Sequence, residues 1–168
     1  ADDIACRSVC APQEWPLQVI VAVTSRDAKP VGSTVGMERS RETSPYYPAW
    51  VESHPHDLAA ALDCVNRREF EQLAALSEHS WLKMHALAIS SQPAMVYWNA
   101  ATVAAMQTVS ALRAQGTPVF FTIDAGPQLK AVCLPEAAEA VKAALSAVPG
   151  VLELIDCSLG QGARVVDA

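Results

Sequence analysis

Charge is sparse in this 168-residue chain: 18 % of its residues are Asp, Glu, Lys or Arg, and acids outnumber bases 18 to 12. A net charge of −6 supplies no basic face for nucleic acid. Long apolar runs are missing as well. Val19 to Val23 is far too short to span a bilayer, and no basic amphipathic stretch suits a membrane surface. The patterns GxxxxGK(S/T), GxGxxG, HExxH and GxSxG are absent, which excludes the commonest nucleotide-loop, dinucleotide, zinc-protease and serine-hydrolase signatures. Cys6, Cys10, Cys64, Cys133 and Cys157 form no CxxC pair. Three of them sit in apolar runs, the pattern of reduced, buried thiols and a cytoplasmic location. Of the four histidines, His79 and His85 fall on different helix faces and His54 and His56 straddle a proline, so no zinc or other metal site is expected. The chain opens Ala1-Asp2-Asp3 without initiator Met, basic n-region or apolar h-region; the expectation is a processed chain or a piece of a longer polypeptide.

What is plentiful is apolar residues, at 51 %, enough to exclude disorder and to fill one core. Residues 1–16 read as a loop, an edge strand or the remnant of a preceding domain, and 17–168 as one domain. Leu17 to Thr24 is a β-branched run with the signature of a strand buried on both faces. Ser25 to Met37 reads as a polar loop. Ser44-Pro45 opens a short helix that His54-Pro55-His56 breaks. A second helix covers Asp57 to Asn66 and a third Arg67 to Ser91, with Phe70, Leu73, Ser77, Trp81, Met84 and Ala88 inward. A fourth runs from about Tyr97 to Gln115, with Val103, Met106, Val109 and Leu112 inward and Gly116 as its stop. Thr117 to Ile123 and Leu129 to Leu134 form a hairpin around Asp124-Ala125-Gly126-Pro127. Pro135 opens a helix striped by Ala138, Val141, Leu145 and Val148. Val151 to Cys157 and Ala163 to Val166 close the chain as strands. Helices segregated against an antiparallel sheet make an α+β two-layer sandwich of ferredoxin-like character.

Two segments carry chemistry. Lys29-Pro30-Val31-Gly32-Ser33-Thr34-Val35-Gly36-Met37 puts a cation, two hydroxyls and two glycines after a buried strand, a set that suits phosphate oxygens and equally an ordinary solvated loop. In Phe121-Thr122-Ile123-Asp124-Ala125-Gly126-Pro127 the aspartate serves a tight turn, and it is also well placed to act on a ligand. His85, one helical turn from Trp81, reads as a satisfied histidine at the core margin.

Together with Trp15-Pro16, Met84-His85-Ala86 and Pro93 to Tyr97, these segments resemble the C-terminal half of diphosphomevalonate decarboxylase, from about Trp15 to the chain end. The most specific element is the FTxDAGP block. The resemblance implies the C-terminal domain of a GHMP-kinase-type enzyme. Such an enzyme uses ATP and Mg²⁺ to phosphorylate the 3-hydroxyl of mevalonate 5-diphosphate, and phosphate and CO₂ then leave to give isopentenyl diphosphate. It implies Asp124 as the catalytic aspartate, Ser33 as the diphosphate ligand, Thr34, Gly32 and Met37 as helpers, and Lys29 close to the phosphates. The resemblance also implies a homodimer formed through C-terminal domains, which Trp50 or Trp98 would serve. The family's KYWGK-type segment and serine-rich phosphate loop have no counterpart here, so the ATP site is expected in a missing N-terminal half and the piece alone is expected to be inactive. Two other readings stay open: a decarboxylase of phosphomevalonate, hinted at by Gly32 in place of a serine, and a non-catalytic dimerisation or binding module.

Overall fold

The run read as a strand is β1, Gln18–Val23, and it lies in the interior of a four-stranded sheet. The computed structural model describes residues 8–161 of the chain. After β1 come α1 (Ser33–Thr43), α2 (Tyr47–Arg67), α3 (Phe70–Ser90) and α4 (Ala100–Ala114), then β2 (Val119–Ile123), β3 (Leu129–Cys133), α5 (Ala138–Ser146) and β4 (Glu153–Ser158). The strand order is β2-β3-β1-β4 with every pair antiparallel, the ferredoxin-like arrangement. The register sets Ile20 between Ala131 and Asp156, and Ile123 opposite Leu129.

Alternation along each strand decides where the core lies. Ile20, Ala22, Val119, Ile123, Leu129, Ala131 and Cys133 all point to one face and are fully buried beneath α4 and α5. Burial pushes the Cys133 thiol up to about 11, so it stays protonated. The opposite face is only partly covered, because the helices segregate. Val19, Val21 and Val23 are half-buried there, which corrects the expectation of a strand buried on both faces. α3 lies alongside the β2 edge, with α1 and α2 packed on it. Phe120 points away from the α4–α5 layer and is nonetheless buried, its ring 5.4 Å from that of Phe70 at the start of α3.

Several element boundaries differ from the sequence reading for local physical reasons. The two helices expected either side of Pro55 are one, since the proline removes a single N–H on an exposed turn and leaves the freed carbonyl on the solvent side of the helix. Ser44 does not cap that helix; Tyr46 holds the cap position. α2 ends where Arg68 turns left-handed, at φ 57°, so Arg67 belongs to α2 and not to α3. On α4 the buried face is Ala101, Thr102, Ala105 and Val109, and Val103 points to solvent. Small residues let this helix sit close to the sheet, and the bulkier valine is turned outward. Gly116 ends α4 at φ +91°, and the stripe Ala138, Val141, Leu145 and Val148 is buried as expected. Residues 8–17 form a turn with Trp15 buried and contain no strand. Cys6, the strand expected over Ala163 to Val166, and the rest of 1–7 and 162–168 lie outside the described residues.

Candidate active site

β2 carries its last residue, Ile123, into the core and leaves the next, Asp124, in solvent at the strand tip. The Asp124 side chain is 79 % exposed, and its Oδ2 accepts a 2.6 Å bond from Lys130 Nζ. Lys130 reaches it from β3, where it sits opposite Thr122 on the open sheet face. The turn that follows is tight: Gly126 N–H donates to Asp124 O at 2.7 Å.

The segment read as a loop through Met37 is a loop only as far as Gly32. Ser33 is the first residue of α1, with Gly32 as an extended N-cap that offers no side-chain bond. Ser33 and Thr34 therefore sit on the first helical turn, where backbone N–H groups have no intrahelical partner and the helix dipole favours an anion. Lys29 connects this helix start to the strand tip. Its Nζ donates to Ser33 Oγ at 2.9 Å and to Ala125 O at 2.8 Å. The two chemistry-bearing segments thus meet across one cleft, lined by Asp27, Lys29, Ser33, residues 124–128 and Lys130. Gly32, Thr34 and Met37 do not line it: Gly32 is exposed at the cap, Thr34 is exposed on the helix, and Met37 is half-buried.

Side chains to which the sequence reading gave no structural role hold the turn in place. The hydroxyls of Thr24 and Thr102 both donate to Pro127 O, at 2.8 and 2.7 Å. Gln128 Oε1 accepts from Thr24 N–H, and its Nε2 donates to Ser25 O, both at 2.6 Å. Asn99 caps α4 in a capping box with Thr102 and donates to Thr24 O at 3.2 Å. The end of β1, the start of α4 and the Asp124 turn are thereby fastened to one another. Only the Asn-x-x-Thr spacing at the helix start could have been found from sequence.

His85 is 1 % exposed, deeper than the core margin expected for it. Its Nε2 lies 3.2 Å from Ile123 O and accepts from Trp98 Nε1–H at 3.3 Å. Burial lowers its pKa below the ordinary histidine value, outweighing the Ile123 and Asp124 backbone groups that act the other way. Trp98 is therefore engaged inside the fold and not presented as a free surface aromatic, and Trp50 is half-buried beside His54. Below α1, a Cβ added at Gly36 would run into Tyr97 Oη and come within 3.5 Å of Met95 Sδ. The Pro93 to Tyr97 segment is thus the bed on which the Ser33 helix rests.

The cleft offers Lys29, the Ser33 hydroxyl and the first-turn N–H groups of α1 on one side and Asp124 paired with Lys130 on the other, with Asp27 also on its wall, a set suited to a phosphate-bearing substrate whose reacting atom lies beside Asp124. A profile described as the mevalonate 5-diphosphate decarboxylase C-terminal domain matches residues 19–161. The chain belongs to this family. Human diphosphomevalonate decarboxylase is 35 % identical over 129 residues, which are 74 % of this chain and 32 % of that protein. The crystal structure of mevalonate diphosphate decarboxylase from Staphylococcus aureus superposes with a TM-score of 0.82 at 28 % identity, over 90 % of this chain and 46 % of that one. A structure described as MDDEF in complex with MVAPP, AMPPCP and magnesium gives 0.76 at 30 % identity, over 83 % of this chain and 43 % of that one. The chain spans about a third of the length of its curated relatives and under half of the solved ones. Among the described residues no group of three or more His, Cys, Asp or Glu side chains converges to hold a metal ion. No helix is long and apolar enough to cross a membrane among the described residues.

Proposed function

We propose that the complete protein decarboxylates mevalonate 5-diphosphate to isopentenyl diphosphate with consumption of ATP, and that this domain supplies the diphosphate grip and the reacting carboxylate. The observation that carries the reading is the pair of Lys29 hydrogen bonds, which holds the Ser33 helix start against the residue following Asp124. In this reading Ser33 Oγ, Lys29 and the first-turn N–H groups bind the diphosphate, while Thr34, Gly32 and Met37 shape the helix start behind them. ATP and Mg²⁺ are assigned to the part of the protein outside this chain.

A tertiary alcohol is far too weak an acid for a carboxylate to deprotonate outright. Asp124 orients the 3-hydroxyl and accepts its proton late, as the oxygen acquires its new bond. As the oxygen later leaves, positive charge grows on the same carbon, and the carboxylate stabilises it. Lys130, bonded to Asp124 Oδ2, keeps the group aimed. We further infer a cytoplasmic homodimer. The free thiols of Cys10, Cys64, Cys133 and Cys157 support the location, and the half-covered apolar sheet face supports the assembly.

The test is Asp124→Asn in the complete enzyme. Turnover is expected to fall by roughly 10³-fold or more while substrate affinity is kept. Near-normal turnover would refute the assignment. The 168-residue chain by itself is expected to release no CO₂ from mevalonate diphosphate and ATP.

A further inference from the structure

Asp124 borders a second cleft on the side away from Lys29. This one is larger, about 560 Å³ against about 480 Å³, and differs in chemistry. It runs between α2, α3 and the open face of the hairpin, and its walls are mostly aromatic and aliphatic: Trp50, Leu58, Leu76, Trp81, Phe120 and Val132. Three elements measure its length independently. Along β2 it extends from Phe120 to Asp124, roughly 13 Å at the usual strand rise. Along α2 it extends from Trp50 to Ala61, about 16 Å, and along α3 from Leu76 to Met84, about 12 Å. It is therefore a trough that ends at the aspartate, and beyond the aspartate lie Lys29, Ser33 and Lys130.

We propose that the two clefts form one binding site for an amphiphile with a phosphate or diphosphate head and a linear hydrocarbon tail. The head would sit at Ser33 and Lys29, and the tail in the α2–α3–β2 trough. The choice of occupant follows from the sequence of surfaces: cationic and hydroxylated, then a carboxylate already neutralised by Lys130, then apolar over the length of a tail of about eight carbons or more. A second protein chain would have to present an anion and an apolar ridge in that same order. The proposal rests on the phosphate grip argued above and adds a tail subsite to it. Bound in this way, such a compound would cover Asp124 and exclude the substrate.

The experiment is calorimetric titration of the 168-residue chain with n-octyl diphosphate and with methyl diphosphate. The octyl compound is expected to bind at least tenfold more tightly, because most of its methylenes leave water. Leu58→Glu puts a charge on the trough wall at a position already 53 % exposed, and it is expected to erase the tail advantage while leaving methyl diphosphate unchanged. Ala61→Phe, which fills the trough without charge, is expected to do the same, and a native circular dichroism spectrum checks the fold of each variant. Equal binding of the two diphosphates, or an octyl advantage that survives both substitutions, overturns the tail subsite while leaving the head site standing. Failure of both compounds to bind overturns the head site and with it this proposal.

Discussion

Lys29 Nζ and the carbonyl of Ala125 are hydrogen-bonded at 2.8 Å across 96 residues of sequence, and through that contact the start of α1 and the aspartate at the tip of β2 become one site. The bond is exposed, so its worth lies in geometry more than in stability.

Lys29→Ala therefore separates the two effects. The free energy of urea unfolding is expected to change by no more than about 0.5 kcal/mol, while affinity for methyl diphosphate falls about tenfold. Titration calorimetry and a denaturation curve on the same protein measure both. A large stability loss with unchanged affinity would show that the lysine is only a fastener.

Gly36 makes a sharper prediction, because the obstacle to a side chain there is a single hydroxyl. Gly36→Ala is expected to destabilise by about 1–3 kcal/mol through overpacking against Tyr97. Removing the hydroxyl with Tyr97→Phe should recover a good part of that loss in the double variant. Additive costs in a denaturation cycle would place the strain elsewhere.

The buried histidine makes stability depend on pH. His85 titrates below its ordinary value in the folded protein, so the unfolded chain takes up the proton first as pH falls through about 6.5. The stabilisation is full above that pH and is lost as pH drops toward the folded value. Asp124 and Lys130 act on the ring in opposite senses. The melting temperature is expected to decline between pH 7 and pH 5, and His85→Gln should flatten that decline. An unchanged slope in the variant would assign the loss to other groups.

What was legible in the sequence is what nearest neighbours and periodicity control. The run Val19 to Val23, the hairpin about Asp124 to Pro127 and the stripe Ala138, Val141, Leu145 and Val148 are written locally, as is the ferredoxin-like order that follows from them. So were the segments that meet at the cleft, since Lys29, Ser33 and Asp124 each stand out by residue type. The fastening of that cleft was not legible. Thr24, Asn99 and Gln128 act through bonds to backbone groups 75 or more residues away, Thr102 reaches Pro127 across 25 residues, and no local pattern announces such partners. Pro55 misled in the opposite sense, because a helix breaker is tolerated wherever water can serve the freed carbonyl. Val103 was assigned inward by its hydrophobicity, whereas the sheet selects the smallest face of α4.

The placement of β1 has a consequence for how the protein comes to exist. Ile20 pairs with Ala131 on one flank and with Asp156 on the other, so this interior strand emerges from the ribosome without either neighbour. At about 5–20 residues per second of synthesis, it waits on the order of ten seconds for the first and longer for the second. During that interval the apolar run Val19 to Val23 has no partner strand, the state in which an unpaired strand invites association with other chains.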